Sequence, residues 1–160
     1  MALFSVLGAL TFSAKYAMSA LPNIEPVSLM VMLFGVTFSK KAGFPIYLYV
    51  AMEILFFGLG IWNLMYLYIW AILALAAWLL RRMQSSLGWA MLSGTFGLLF
   101  GALCIPVDAA IGGFAYAFSK WISGIPFDIA HCAGNFVIAL VMFRPMRRLM
   151  EKLYNRQMKN

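Results

Sequence analysis

Residues 63–82 read NLMYLYIWAILALAAWLLRR, an uncharged run that ends at Arg81 and Arg82. A helix rises about 1.5 Å per residue, so the run from 63 to 80 approaches the ~30 Å thickness of a bilayer's hydrocarbon core. Basic residues beside a span mark its cytoplasmic end. The stretch therefore predicts a transmembrane helix whose carboxyl end faces the cytoplasm.

The rest of the chain has the same character. Hydrophobic residues make up 64% of the 160 residues and charged residues 11%, against about 45–50% and about 25% in soluble domains. A water-soluble fold of this size could not cover so much apolar surface with so few charges. The composition predicts an all-α integral membrane protein, built as a single domain from residue 1 to 160.

The net charge of +7 is concentrated at the ends of apolar runs. Ten of the twelve basic residues belong to Lys40-Lys41, Arg81-Arg82 and the tail from Arg144 to Lys159. The positive-inside rule places such clusters in cytoplasmic loops. We interpret them as topology signals and headgroup anchors, with the lipid bilayer rather than nucleic acid as their partner.

Hydropathy divides the chain into six apolar runs, with both termini predicted to be cytoplasmic. Residues 106–126 are expected to form an outer loop that carries a short helix. The alternative, a seventh span over 109–123, would place the basic tail outside. The second run is short for a span, because it is only about 20 Å long. The predicted transmembrane helices are 3–20, 27–39, 44–60, 63–80, 87–105 and 127–143.

Small residues recur at every fourth position of the first helix: Ser5, Ala9, Ser13 and Ala17. On a helix this spacing makes one face that lets another helix approach closely. The face could pack inside this chain, or it could dock another membrane subunit.

The stretch GIPFDIAHCAGN, residues 124–135, places three polar side chains at the outer mouth of the last span. Asp128, His131 and Asn135 share one helical face. Asp128 could cap its own helix. His131 and Asn135 lie deeper, where they must bond to one another, to neighbouring helices or to a ligand. A lone histidine without a matching motif predicts neither a metal site nor a catalytic centre.

Further polar and aromatic residues are predicted at the same outer level. Glu53 lies inside the third run, and an intramembrane carboxylate suggests function unless it pairs with Lys15. Aromatic walls with a few polar groups are typical of a small-molecule site. We therefore predict an outward-facing ligand pocket without a cofactor. Its candidate residues are Lys15, Glu53, Trp62, Asn63, Tyr66, Trp121, His131 and Asn135.

Three segments, PNIEPVSLMVML (22–33), FGLLFGALCIP (96–106) and KWISGIPFDIAHCAGNF (120–136), are similar to a known family. With the basic character and the small-residue stripe, the chain resembles the substrate-binding S components of energy-coupling factor importers. The resemblance covers nearly the whole chain.

This resemblance implies a non-enzymatic subunit of a prokaryotic plasma membrane that binds a vitamin or related micronutrient. It implies docking through Ser5, Ala9, Ser13 and Ala17 to a transmembrane T component, which acts with two ATPase subunits. Hydrolysis of ATP would take place in those partners. The GIPFD-x-x-H-x-x-x-N pattern looks closest to the cobalamin-type branch and to branches of uncharacterised substrate, and the residues themselves leave the substrate open.

Two other functions remain possible on the sequence alone. The chain could be a small autonomous carrier or channel, proton-linked through Glu53 and His131. It could also be a membrane enzyme acting on a lipid, although no metal or catalytic pair is visible in the sequence.

Overall fold

The computed structural model describes residues 2–20 and 26–157, in which helices joined by short turns make up the structure and no strand occurs. A 3-10 turn, Ser39–Ala42, joins the second and third helices. The helices are α1 (Ala2–Ala17), α2 (Val27–Phe38), α3 (Gly43–Phe57), α4 (Ile61–Leu79), α5 (Ser86–Leu98) and α6 (Phe100–Gln157).

Three helical stretches of the described chain are long and apolar enough to cross a bilayer: Val27–Phe57, Ile61–Leu79 and Ser86–Gln157. Ala2–Ala17 is a shorter apolar helix. The all-helical prediction is thus confirmed, but four apolar stretches stand in place of the six predicted spans. The numbers differ because Val27–Phe57 and Ser86–Gln157 each contain two of the predicted apolar runs.

Contacts show that the chain reverses direction inside the stretch Val27–Phe57. The ring of Phe4, at the start of α1, lies 5.0 Å from that of Phe38 at the end of α2, and 5.9 Å from that of Phe44 at the start of α3. At the other end of α1, Lys15 contacts Glu53 near the end of α3. Helices α1 and α3 are therefore parallel, and α2 runs antiparallel to both.

A second reversal lies inside α6, at Gly113. Its φ of 80° and ψ of 167° break the helix, in a region of φ that glycine adopts without steric cost. Gly101 contacts Asp128, and Asp108 contacts Lys120, so the two arms meet in antiparallel register. The arm that ends at Gly112 continues the direction of α5, and the arm from Phe114 packs back along it.

This hairpin corrects the prediction for residues 106–126, which are helical on both sides of Gly113 rather than a loop with a short helix. The fifth predicted run also continues past its expected stop at Pro106, and the last continues through Pro145 to Gln157. Proline inside a membrane helix is tolerated when neighbouring groups satisfy the backbone that it frees. Antiparallel packing of the two arms stabilises helix in a segment whose glycines and prolines favoured a loop.

Helix α2 occupies the centre of the bundle, because every residue of Val27–Phe38 except Thr37 is buried. A Cβ added to Gly35 would collide with the backbone of Ala74 on α4. The absence of a side chain at Gly35 therefore allows α2 and α4 to pack backbone against backbone.

The three basic clusters lie at one end of the bundle. Lys40 lines the same groove as Trp78 near the end of α4. Arg147 of α6 donates to the backbone oxygen of Arg81 at 3.2 Å. Folding thus collects cationic segments that are far apart in sequence.

Candidate functional site

The first polar cluster is an ion pair enclosed by α1, α3 and α4. Lys15 Nζ lies 3.0 Å from Glu53 Oε2, and Glu53 is only 2% exposed. The same ammonium lies 3.3 Å from the hydroxyls of both Tyr49 and Tyr66. The structure therefore forms the Lys15–Glu53 pair, which was predicted as the alternative to ligand contact.

The two tyrosines also present their rings to this ammonium. Lys15 Nζ lies 5.8 Å from the ring centre of Tyr49 and 5.2 Å from that of Tyr66, distances at which a cation is attracted to an aromatic face. Tyr66 was a predicted site residue, whereas Tyr49 was not. Its position four residues before Glu53, on the same helical face, is the signal that could have identified it.

The second polar cluster lies between α2, α5 and α6. Asn135 Nδ2 donates to Ser28 Oγ at 3.0 Å and to the backbone oxygen of Ser93 at 3.3 Å. Asp128 accepts from the backbone N–H of Gly101 at 3.1 Å. Asp128 thus contacts the first turn of the opposite arm, and it does not cap a helix of its own, because that part of α6 has no helix start.

Glycines on the facing arm allow this cluster to be buried. A Cβ on Gly97 would lie 2.8 Å from the carbonyl carbon of His131, and one on Gly94 would lie 3.3 Å from the Cβ of Phe136. The spacing of Gly94, Gly97 and Gly101 puts all three on one helical face. The arms therefore approach closely enough to exclude lipid from His131 and Asn135.

Aromatic rings connect the two clusters. The centroids of Tyr66 and Trp70 are 5.3 Å apart, and those of Trp70 and Phe100 are 5.8 Å apart. The ring of Phe100 then lies 5.1 Å from His131. Four predicted residues, Lys15, Glu53, Tyr66 and His131, are thus joined through one continuous set of side chains.

Several buried polar atoms near these clusters have no hydrogen-bond partner within residues 2–20 and 26–157. Leaving such an atom unsatisfied costs about 1–3 kcal/mol, so each would be stabilised by a donor or acceptor that the described residues do not supply. The atoms are Glu53 Oε1, Asn63 Nδ2, Trp70 Nε1, Ser93 Oγ, Asp128 Oδ2, His131 Nε2 and Asn135 Oδ1.

The remaining predicted ligand residues are more dispersed. Asn63 Oδ1 accepts from the N–H of Gly60 at 2.7 Å and caps α4, while the neighbouring Trp62 is 43% exposed. Trp121 lies beside Gly101, whose N–H donates to Asp128, and lines a groove of about 290 Å³ with Asp108 and Lys120, which form an ion pair at 2.6 Å. The structure therefore leaves Trp62 outside the set that joins Glu53 and His131, and places Trp121 at the edge of the second cluster, beside Gly101 and Asp128.

The small-residue stripe faces away from the bundle. The buried residues of α1 are Leu7, Gly8, Thr11 and Phe12. Ser5, Ser13 and Ala17 are exposed and Ala9 is half-buried. Three of the four residues therefore do not pack inside the chain, and their face is exposed in this structure.

Comparison with protein-family models, with curated proteins and with solved structures finds no match to this chain. In the described part of the chain, no three His, Cys, Asp or Glu side chains converge as a group that could hold a metal ion. The geometry of the two clusters and of the α1 face supplies the arguments for function.

Proposed function

We propose that this chain is the membrane-embedded substrate-binding subunit of an energy-coupling factor importer, and that it carries a vitamin or related micronutrient. The observation that carries the proposal is the set of buried donors and acceptors without partners around the second cluster, beside an aromatic wall. A small molecule with polar edges and a flat ring would satisfy both features.

The polar groups favour a ligand that both donates and accepts hydrogen bonds. Asp128 Oδ2 and Asn135 Oδ1 are acceptors, and Trp70 Nε1 is a donor. Since Lys15 and Glu53 neutralise one another, the first cluster gives no reason to require a charged substrate. A corrinoid, with peripheral amides around a large ring, is the candidate that we favour within the vitamin class.

The arrangement of the helices supports a six-pass topology with both termini in the cytoplasm. The reversals at Ser39–Ala42 and Gly113 divide the two longest stretches into antiparallel segments. The basic clusters share one end of the bundle, which would be the cytoplasmic end under the positive-inside rule. Ser28 of the second cluster lies at the start of α2, the end remote from Lys40, which favours access to the cluster from the opposite side.

The exposed stripe of α1 supports docking of a second membrane protein. In lipid, helices associate through small residues that permit close backbone contact. We assign Ser5, Ala9, Ser13 and Ala17 to the surface that meets a transmembrane T component, and ATP hydrolysis to the two ATPase subunits bound to it.

The first test is native mass spectrometry of the gently extracted protein, purified from cells grown in rich medium. We expect a retained vitamin-sized mass, and co-purified T and ATPase subunits when all are expressed together. A chain that carries no small molecule, and binds no vitamin added afterwards, would contradict the binding role.

Glu53 Oε1 and His131 Nε2 also favour a second candidate, because buried titratable groups without full hydrogen bonding occur in proton-linked carriers. Reconstitution of the purified chain alone in vesicles separates the two functions. Uptake driven by a pH gradient without ATP would establish an autonomous carrier. Uptake that requires the partner subunits and ATP would establish the importer subunit.

A further inference from the structure

An apolar groove lies on the exposed side of the bundle between α3 and α4, with a volume of about 370 Å³. Its walls include Ile46 of α3 and Leu75 of α4, and the small side chains of Ala71 and Ala74 leave the space open. The groove is separate from both polar clusters, because none of their residues lines it.

The ends of the groove differ in chemistry. Tyr47 closes one end by donating its hydroxyl to the backbone oxygen of Leu67 on α4 at 2.9 Å. Lys40 and Trp78 line the other end. The α4 residues that line the groove run from Ala71 to Trp78, a rise of about 10 Å, which lies within one leaflet of the ~30 Å hydrocarbon core.

Cations gather at the open end. Lys40 and Lys41 are exposed, and the guanidinium of Arg81 stacks over the Trp78 ring at 4.6 Å while donating to the Trp78 backbone oxygen at 2.9 Å. The salt bridges formed by the described residues involve none of these three cations. Their positive charge is therefore available to an anion.

We propose that this groove binds one anionic phospholipid, with an acyl chain between α3 and α4 and the headgroup phosphate at Lys40 and Arg81. The charge of the open end complements a phosphate, and the apolar groove below it would hold the headgroup-proximal part of an acyl chain of the same leaflet. The proposal goes beyond the importer function and depends only on the chain residing in a membrane.

Competition between two lipids with identical acyl chains tests this assignment. The full chain is purified in detergent with an equimolar mixture of phosphatidylglycerol and phosphatidylcholine, and retained lipids are counted by native mass spectrometry. We expect one phosphatidylglycerol molecule to be retained in clear preference. Equal retention of the two lipids would overturn the proposal.

Filling the groove tests the position of the acyl chain. Ala71 is exposed on the groove wall, so Ala71→Phe should occupy the space without disturbing the core and should abolish the retained lipid. Ile72→Phe is the matched control, since Ile72 is an exposed neighbour on the same helix that does not line the groove. Lipid retained by Ala71→Phe at the wild-type level, or lost equally from both variants, would refute the site.

Removing one charge tests the position of the headgroup. Lys40→Gln should lower the preference for phosphatidylglycerol about fivefold, as expected for one cation near the phosphate. Lys152→Gln removes the same charge from an exposed position of α6 outside the groove, and should leave the preference unchanged. A preference unaffected by Lys40→Gln would contradict the assignment. An Ala71→Phe chain that keeps its lipid but no longer binds the T component would also contradict the assignment, because the groove would then bind a protein rather than a lipid.

Discussion

The two polar clusters are both buried, but they differ in how their polar atoms are satisfied. Around Lys15, a cation meets a carboxylate and two hydroxyls, so most of the group's charge and hydrogen bonding is neutralised within the chain. Around His131, an amide reaches two partners, while nearby donors and acceptors have none in the described residues. The difference suggests that the first cluster holds the helices together and the second meets a ligand.

The largest effect is expected from breaking the ion pair. Lys15→Met leaves the buried Glu53 carboxylate without its cation, and should lower the free energy of unfolding by about 3 kcal/mol. The double variant Lys15→Met/Glu53→Gln removes both charges and should recover most of that loss. Thermal unfolding in detergent measures both. A single variant as stable as wild type would show that the pair has no structural role.

A smaller loss of stability is expected where the arms of the hairpin touch. Gly97→Ala places a Cβ against the backbone of His131, and should cost about 1–3 kcal/mol by forcing the arms apart. Ligand affinity should fall with it. Gly124→Ala is the control, because a Cβ there meets no atom within 4 Å. It should be neutral or slightly stabilising, since alanine is the better helix former.

At the second cluster, a substitution should lower the affinity for the ligand while changing the free energy of unfolding little. His131→Phe retains a ring that can pack on Phe100 but removes Nε2, an atom without a partner in the described chain. We expect the free energy of unfolding to change by less than about 1 kcal/mol. Ligand affinity should fall about tenfold, the equivalent of one lost hydrogen bond. Calorimetric titration with the retained ligand measures the affinity. A variant destabilised as strongly as Lys15→Met would remove the distinction between the clusters.

The smallest effect on stability is expected outside both clusters. Ser13→Trp adds a bulky ring to the exposed face of α1, and should change the free energy of unfolding by no more than about 0.5 kcal/mol. Ligand binding should be unchanged, whereas uptake by the assembled importer should be lost. Leu10→Trp, at another exposed position of α1, is the control. Uptake at the wild-type rate by Ser13→Trp would refute the docking role of the stripe.

Hydropathy alone predicted much of the helical organisation. The short second run was expected over 27–39 and forms Val27–Phe38, and the fourth was expected over 63–80 and forms Ile61–Leu79. These limits are clear because Pro26, Gly60 and the arginine pair interrupt apolar runs. The helical hairpin that reverses at Gly113 was not predictable in the same way, since it depends on contacts between its two arms.

The site was only partly predictable for a related reason. Charge made the pairing of Lys15 with Glu53 a definite alternative, because few other charges lie within the apolar runs. Ser28 and Ser93 carry no such signal, since serine is common in membrane helices and becomes informative only when Asn135 reaches it. Trp62 was placed in the pocket because aromatic side chains suit both a binding site and the membrane interface.

The burial of α2 has a consequence for how the chain is assembled in the membrane. Its 12 residues extend only about 18 Å, well short of the ~30 Å hydrocarbon core, and nearly all of them contact protein rather than lipid. Such a segment is too short to span the core alone and presents little apolar surface to lipid, so its insertion ahead of its neighbours is unfavourable. We therefore expect α2 to reach its final depth only after α4 has been synthesised and supplies the surface around Ala74, which makes biogenesis of the amino-terminal half depend on sequence that leaves the ribosome later.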